Sequence, residues 1–419
     1  MCALQTPARG RAGGFTDWVG PAAACRRRVA DAFLDTFSAW GYEYLATPLV
    51  EPLETVAAGV GGGRQADLFR FMDADGRLLA LVGERTVSVA RVVATQLRTR
   101  SFPLRLCYSG PVLFNRPPLG GRRRETMQAG CELVGHGGLE ADAECLAVAA
   151  AALEAAGITG VQIDVGHADF VPSLLAAAHL DADSRSRVAR ALRHRDLVAV
   201  ETALEGTEAG AAERALLLAF PTLRGGRELL DSAGARLSEG CRRSLDELAR
   251  LWDLLDTHGI TDRVHLDLGA VRDWDYYTGP TFELFSAELG FPLGSGGRYD
   301  RLLASFGLDA PATGFVLHVD RCCDALQRSS GPVAPAPVLR ILYARGRAAE
   351  AMAVAVELRR RGLRVALDLT PAEESAFEPG VRAAWVDAAG VLSWHWPGHS
   401  GSGLDGLVAA IPLLRGGQP

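Results

Sequence analysis

The sequence predicts an α+β protein with an antiparallel sheet flanked by helices, a helical insertion and a small C-terminal α/β domain. Apolar, strand-like runs at residues 104–114 and 126–134 are joined by an Arg- and Gly-rich loop, which is typical of neighbouring antiparallel strands. Residues 170–258 are instead almost entirely helix-forming. A hinge rich in Ser, Gly, Pro and Ala at residues 329–337 precedes a strand-helix-strand pattern at residues 338–367. These composition patterns predict an α+β domain with a helical insertion, followed by a separate small domain.

The N-terminal part of the chain alternates helices and short strands. Residues 21–40 predict an amphipathic helix that Gly41 ends, and residues 42–49 predict a strand. Residues 68–81 predict a hairpin, and residues 87–97 predict a helix. The apolar stripe of the first helix consists of Cys25, Val29, Phe33, Phe37 and Trp40.

Further elements follow on both sides of the helical insertion. A run rich in Ala, Leu and Glu at residues 140–156 predicts a long helix closed by Gly157, and residues 161–165 predict a short strand. Strands are predicted again at residues 264–268, 281–285 and 313–319. Beyond Asp387 the pattern decays, so the last domain is expected to be degenerate.

Composition excludes several classes of protein. All 44 basic residues among the 419 are arginine, and 50 acidic residues give a net charge of −6. The absence of lysine excludes a Schiff-base enzyme, a lysine nucleophile and a phosphate-binding loop that ends in Gly-Lys-Ser/Thr. The arginines are scattered, and their short runs at residues 26–28, 122–124 and 359–361 are interpreted as solvated surface. Binding of nucleic acid, including tRNA, is therefore not favoured by the charge pattern.

Cysteine and apolar patterns indicate a cytoplasmic protein. None of the eight cysteines forms a C-x-x-C pair, which favours reduced, buried thiols over disulfides or a zinc site. His395 and His399 are four residues apart, but Pro397-Gly398 between them favours a surface loop over a metal site. The N-terminus lacks the apolar segment of a secretory signal, and no uncharged apolar run reaches the roughly 18 residues of a membrane span.

Five motifs follow one another along the chain. They are LVGERT at residues 81–86, the segment at residues 105–132, VRDWDYYTG at residues 271–279, GGRYD at residues 296–300 and GFVLHVDR at residues 314–321. Together they resemble the catalytic domain of histidyl-tRNA synthetase, including its second and third class II motifs and its Arg-x-x-Asp-Tyr-Tyr segment.

The resemblance implies a domain organisation. It covers residues 15–325, which would form a class II aminoacyl-tRNA synthetase-like domain with the helical insertion near residues 168–260. Residues 42–51 resemble the first class II motif, which in that family helps to form the dimer interface. Residues 336–419 faintly resemble the anticodon-binding α/β domain of that family.

The resemblance also implies a site for free histidine. Histidine presents an ammonium, a carboxylate and an imidazole, which need an acceptor, a cation, and a paired donor and acceptor respectively. Glu84, Thr86 and Gln128 match the family's contacts to the amino group. Arg272 matches its contact to the carboxylate, and Glu132 and Tyr277 match the residues that bind the imidazole. The complete set is Glu84, Thr86, Gln128, Glu132, Arg272, Tyr276 and Tyr277.

The nucleotide half departs from the family. Adenylate formation needs cations aimed at the phosphates of ATP. Phe114 stands where the second motif's arginine is expected, and His318 stands where the third motif has a small glycine, while Arg124 and Arg321 remain. A slip of one or two residues would make Arg116 the missing arginine instead. The resemblance thus implies a retained histidine pocket beside a degenerate nucleotide site.

A retained histidine pocket beside a degenerate nucleotide site resembles the arrangement in the regulatory subunits of ATP phosphoribosyltransferase. These subunits are synthetase paralogues that pair with a short-form catalytic subunit at the first step of histidine biosynthesis. Residues 105–113 and 132–142 resemble that family in particular. We therefore predict a non-catalytic, histidine-sensing regulatory subunit that binds L-histidine, self-associates as a dimer, and uses no cofactor, metal or membrane.

Two other functions share the same pocket. One is an active, divergent histidyl-tRNA synthetase, and the other is a binding protein of different purpose, such as a tRNA-related sensor. The sequence also leaves open whether histidine binds in the synthetase-like pocket, at the partner interface or in both places.

Overall fold

Two units divide the chain, Met1–Val333 and Ala334–Pro419, in a computed structural model. The structure describes residues 10, 12–59, 65–117, 123–219, 223–233, 237–269, 276–331, 338–372, 382–396 and 399–410. Most of the predicted hinge at 329–337 lies outside these ranges.

The first unit holds eleven labelled helices and twelve strands within the described ranges. The strands are β1 Glu43–Tyr44, β2 Val50–Pro52, β3 Arg70–Met72, β4 Leu78–Leu81, β5 Leu104–Leu113, β6 Glu125–Val134, β7 Gln162–His167, β8 Arg224–Gly225, β9 Val264–Asp267, β10 Pro280–Phe285, β11 Gly294–Arg298 and β12 Ala312–His318. The helices are α1 Gly20–Ala39, α2 Leu53–Gly59, α3 Arg85–Val92, α4 Leu139–Ala155, α5 Phe170–Ala177, α6 Ala182–Arg193, α7 Leu197–Leu204, α8 Ala211–Ala219, α9 Glu228–Ala233, α10 Glu239–Thr257 and α11 Val319–Ser330.

The main sheet has nine strands in the order β1-β5-β6-β12-β11-β10-β7-β9-β8. As predicted, β5 and β6 are antiparallel neighbours, with Leu104 opposite Val134 and Leu113 opposite Glu125. The sheet is mixed rather than wholly antiparallel, because β1 runs parallel to β5 and β7 runs parallel to β9. Both parallel pairs are joined by long connections that contain helices, as parallel neighbours require. The predicted α+β class is confirmed.

The largest core cluster lies on one face of this sheet, and a smaller cluster that includes Leu106 and Val134 packs against α3 on the other face. Successive side chains of a strand point to opposite faces, so Ala129, Cys131 and Leu133 of β6 pack into the core formed with α1 and α4, whereas Gln128 and Glu132 point the other way. The apolar stripe predicted for the first helix forms its buried face except for Trp40, which follows the end of α1 and is partly exposed. The face that Gln128 and Glu132 occupy is therefore available for a site.

Helices α5 to α10 form the helical insertion between β7 and β9. Buried residues of α6 and α10, such as Leu192 and Leu251, belong to the same core as the sheet residues, so the insertion is packed onto the domain that contains it. A hydrogen bond between His167 Nε2 and Glu247 Oε2, 3.1 Å, also joins the end of β7 to α10.

The second unit is a five-stranded sheet in the order β14-β13-β15-β16-β17. Its elements are β13 Leu339–Tyr343, α12 Ala348–Arg360, β14 Val365–Leu367, β15 Ala383–Val386, β16 Leu392–Trp396, β17 His399–Ser402 and α13 Leu404–Ala409. Regular structure therefore continues beyond Asp387, where the pattern decays. The sequence pattern does not predict this part because β17, His-Ser-Gly-Ser, is an exposed edge strand without an apolar residue, so its side chains show no alternation of apolar and polar types.

Two predictions about side chains and membranes can be compared with the described residues. The seven cysteines among them are all buried, and none is in a disulfide. None of the helices in those ranges is both long and apolar enough to cross a bilayer.

Candidate functional site

A cavity of about 460 Å³ opens in the first unit on the sheet face that carries Gln128. Its wall includes Glu84, Thr86, Gln128, Tyr276 and Tyr277, which are five of the seven residues predicted to bind histidine. They come from three separate motifs, so the fold brings together what the sequence places up to about 190 residues apart. Arg272, the residue predicted for the carboxylate, lies outside the described residues.

Glu132 lies directly behind this wall and is only 1% exposed. Thr86 Oγ1 donates to Glu132 Oε1 at 2.7 Å, and the hydroxyl of Tyr299 donates to Oε2. Burial raises the pKa of Glu132 to about 8, although the hydrogen bonds from Tyr299 and Thr86 oppose the rise. Near neutral pH this group is therefore largely protonated, and it can donate or accept a hydrogen bond.

Glycine at position 314 makes room for the Glu132 carboxyl. Gly314 pairs with Glu132 across β12 and β6, and a Cβ built there would lie 1.8 Å from Glu132 Oε2. No side chain larger than hydrogen fits without moving the carboxyl. The glycine in the third motif thus sets the depth of the cavity.

Acceptors for an ammonium line the same cavity. The hydroxyl of Tyr276 donates to Glu84 Oε1 at 3.2 Å. The side-chain oxygen of Gln128 is buried without a hydrogen-bond partner among the described residues, so it is available to a ligand. A carboxylate and an amide oxygen are the groups that a ligand ammonium needs.

Arg85 fixes the segment that supplies Glu84 and Thr86. Helix α3 begins at Arg85, whose buried guanidinium donates to Thr47 Oγ1 and to the carbonyl oxygen of Pro111, both at 2.9 Å. Because these bonds tie the start of α3 to two neighbouring segments, the residues on either side of Arg85 are held in place. The motif LVGERT is therefore both a structural anchor and a part of the cavity wall.

Phe114 lies in the wall of the same cavity, at the position where the sequence comparison of motifs predicts an arginine. The guanidinium of Arg116 stacks over its ring at 4.6 Å, and Arg116 Nε donates to Asp67 Oδ2 at 2.7 Å. Arg116 also lines the cavity, so a guanidinium is present near this point, although Asp67 pairs with it. The described geometry therefore gives Arg116 a defined partner within the protein.

His318 and Arg321 line the cavity beyond Gln128, to which His318 is the cross-strand neighbour. Burial, together with the nearby Arg321 charge, lowers the pKa of His318 to about 3, so its imidazole is neutral at physiological pH. Arg321 Nη1 donates to the carbonyl oxygen of Pro292 at 2.6 Å, and its guanidinium lies 5.3 Å from the ring centroid of Phe291. His318 thus occupies space in the nucleotide half without supplying charge.

Arg124 is not among the residues that line this cavity. Its guanidinium lies 4.6 Å from the ring centroid of Phe69 and 5.7 Å from that of Phe15, and it donates to the side-chain oxygen of Asn115. In this arrangement Arg124 fastens the second motif to the N-terminal segment.

Sequence reasoning missed part of the cavity wall. Tyr299 belongs to the GGRYD motif, so the signal for its role was present in the sequence. Leu192, Arg193 and Arg195 come from the helical insertion and also line the cavity, but no motif marks them. Only the folded chain shows that the corner between α6 and α7 reaches the site.

No group of three or more metal-binding side chains occurs among the described residues, and the polar groups of the cavity wall are carboxyl, amide, hydroxyl, imidazole and guanidinium groups. The arrangement is therefore suited to binding a small zwitterion with an imidazole or similar donor-acceptor group. Phe114 and a neutral His318 add no charge at the two positions where the sequence predicts a degenerate nucleotide site, although arginines line other parts of the wall.

Comparison with known protein families gives a consistent result. The Histidyl-tRNA synthetase family model matches residues 14–322. The ATP phosphoribosyltransferase regulatory subunit of Geobacter sulfurreducens is 39% identical over 359 residues, which are 85% of this chain and 82% of that protein. That of Moorella thermoacetica is 39% identical over 383 residues, covering 91% of this chain and 96% of that protein.

Solved structures agree with these sequence relatives. A crystal structure described as an ATP phosphoribosyltransferase regulatory subunit/histidyl-tRNA synthetase from Bacillus halodurans has a TM-score of 0.77 and 29% identity, covering 87% of this chain and 93% of the other. Histidyl-tRNA synthetase from Nostoc has a TM-score of 0.80 at 20% identity, covering 97% of this chain and 99% of the other, which shows a shared fold.

Proposed function

Because the chain belongs to the histidyl-tRNA synthetase family, and within it to the ATP phosphoribosyltransferase regulatory subunits, we propose that it is the non-catalytic, histidine-sensing subunit of an ATP phosphoribosyltransferase complex. Its partner is a short-form catalytic subunit, and its ligand is L-histidine. Histidine bound by this chain biases the conformation of the partner, a coupling that is typically worth about 1–3 kcal/mol.

One observation supports this proposal above others. The same cavity combines a wall suited to free histidine with a predicted nucleotide half whose two altered positions carry no charge: Gln128 offers a buried acceptor, whereas Phe114 is apolar and His318 is neutral. The two arginines on that side, Arg116 and Arg321, already have partners in Asp67 and the carbonyl oxygen of Pro292. A protein that must recognise histidine without activating it needs this combination. The roles of the individual residues, including Arg272, are part of the proposal.

Reconstitution with the partner tests the proposal. The short-form catalytic subunit from the same genome is assayed for phosphoribosyl transfer with and without this chain, and then with added histidine. We expect that the chain is required for full activity and that histidine lowers the rate. Activity that is independent of the chain would reject the regulatory role.

Arg116 favours one second candidate, an active histidyl-tRNA synthetase, because it places a guanidinium in the cavity beside Phe114. Histidine-dependent exchange of pyrophosphate into ATP by the purified chain would establish that activity. We expect none, since Arg116 is ion-paired with Asp67 and the adjoining His318 is uncharged.

Self-association as a dimer in the cytoplasm completes the proposal. Tyr44 of β1, in the segment that resembles the first class II motif, is 55% exposed, and Val19, directly before α1, is 74% exposed. Apolar side chains in these positions suit an interface between two copies. Light scattering after size-exclusion chromatography should give twice the mass of the 44.5 kDa chain, and a monomeric mass would contradict this part of the proposal.

A further inference from the structure

The corner between α6 and α7 brings the helical insertion to the cavity. Leu192, Arg193 and Arg195 line the cavity together with the candidate histidine-binding residues. Leu192 is 1% exposed and part of the main core, so the end of α6 is anchored. The side chain of Asp196 accepts from the backbone N–H of Ala199 at 3.0 Å and caps the start of α7.

An ion pair fixes the other side of this corner. Arg195 has a positive φ of 53°, which is uncommon outside glycine, and its Nη2 donates to Asp267 Oδ2 at 2.9 Å. Asp267 is the last residue of β9 and is 3% exposed. The corner is therefore held against the central sheet rather than standing free in solvent.

Four guanidinium groups line the cavity, and three of them have partners. Arg116 pairs with Asp67, Arg195 pairs with Asp267, and Arg321 donates to the carbonyl oxygen of Pro292. Within the described ranges, the exposed side chain of Arg193 has no hydrogen bond or ion pair. It is the last residue of α6, so its backbone position is fixed by the anchored corner.

A histidine ligand presents three polar groups, and the residues described above suit two of them. Glu84 and Gln128 suit its ammonium, and Glu132 with its hydroxyl partners suits the imidazole. Its carboxylate needs a cation, and a guanidinium matches a carboxylate with two parallel hydrogen bonds.

We propose that Arg193 of the helical insertion is a further ligand-binding residue, which binds the α-carboxylate of histidine from the anchored corner between α6 and α7. This inference rests on the proposed function and adds a contact from outside the synthetase-like motifs.

Calorimetric titration of the full chain with L-histidine and with L-histidine methyl ester tests this assignment, because the ester replaces the carboxylate by a neutral group; both titrations are run near pH 6, where the amino group of the ester is still protonated. The variants are Arg193→Gln and the matched control Arg190→Gln, an exposed arginine on the same helix that does not line the cavity. Arg193→Gln should weaken binding of histidine about tenfold but leave binding of the ester within about twofold. Arg190→Gln should change neither affinity.

Three results would overturn the assignment. Histidine affinity unchanged in Arg193→Gln, while Glu132→Gln abolishes binding, would reject Arg193 and leave the proposed function intact. Equal weakening of both ligands by Arg193→Gln would indicate a purely structural role. Absence of histidine binding by the unmodified chain would reject this inference, and reconstitution with the short-form catalytic subunit then decides the proposed function separately.

Discussion

Glu132 shows at the residue scale how the fold gives a side chain its chemistry. A glutamate in water is ionised at neutral pH, but burial behind the cavity wall raises the pKa of this one to about 8. Thr86 and Tyr299 donate to its two oxygens, and Gly314 opposite leaves the space that it fills. Glu132 is therefore the group through which pH acts most directly on the site.

Replacing Glu132 by glutamine should change how stability depends on pH. In the unfolded chain glutamate has a pKa of 4.5, so between about pH 4.5 and 8 the folded state binds one more proton than the unfolded state. The wild-type chain thus loses stability as pH rises through this window, by up to roughly 1.4 kcal/mol per pH unit, whereas Glu132→Gln does not titrate.

Chemical denaturation of both proteins at pH 5, 6.5 and 8 measures this difference. Stability of Glu132→Gln relative to wild type should increase from the lowest to the highest pH. A constant difference would mean that the buried carboxyl is already ionised in the native state.

The same substitution should weaken histidine binding. Glutamine keeps the size of the side chain but cannot act as both protonated acid and carboxylate, so the match to the imidazole is lost. We expect roughly a tenfold loss of affinity, in line with the cost of leaving a buried hydrogen-bonding group without its partner. Calorimetric titration of wild type and Glu132→Gln with L-histidine at pH 7 measures the two affinities. An unchanged affinity would place the ligand elsewhere, for example at the partner interface.

Most of the predicted cavity residues could be found from sequence because they lie in motifs of fixed spacing. Glu84, Thr86 and Gln128 line the cavity, and Glu132 lies just behind it. Arg193 could not be found this way, because its place depends on how a helical insertion packs onto the sheet. The spacing of residues within a motif predicts contacts inside that motif, but it does not predict contacts between elements that are distant in sequence.

Arg298 illustrates the element scale, where one buried ion pair joins β11 to α4. Its Nε donates to Asp142 Oδ2 at 3.1 Å and its Nη2 donates to the carbonyl oxygen of Gly138 at 2.7 Å. Burial raises the pKa of Asp142 to about 6, even though Arg298 lowers it. Because Arg298 directly precedes Tyr299, this pair also positions a wall residue of the cavity.

Removing the arginine should destabilise the domain strongly. Arg298→Gln leaves Asp142 buried without its cation, and such a loss typically costs about 3–5 kcal/mol. Arg301→Gln is the matched control, since Arg301 is an exposed residue three positions later. Urea unfolding monitored by circular dichroism should separate the two variants, and equal midpoints would show that the ion pair contributes nothing.

Elements with a clear apolar period were predictable, and elements without one were not. The first helix and the β5–β6 pair follow the 3.6-residue and two-residue periods, and both occur close to their predicted bounds. Strand β17 has no apolar residue, and the parallel pairing of β7 with β9 depends on a connection through the whole insertion. Their pairing follows from tertiary packing, which a local period does not encode.

At the scale of the whole molecule, the site and the insertion share one core. Leu192 and Leu251 of the insertion pack in the same cluster as Cys131 of the central sheet, and the corner after Leu192 lines the cavity. A ligand in the cavity therefore contacts elements from both parts of the first unit. Such a site can change the relative stability of two arrangements, which is what regulation by a ligand requires.

The most direct test of the account is the rate of ATP phosphoribosyl transfer by the short-form catalytic subunit, measured with this chain and a series of histidine concentrations. With the wild-type chain we expect activation that histidine reverses. With Glu132→Gln we expect activation that histidine no longer reverses at the same concentrations. Equal inhibition of both complexes by histidine, or no activation by either chain, would contradict the assignment of this cavity as the histidine sensor.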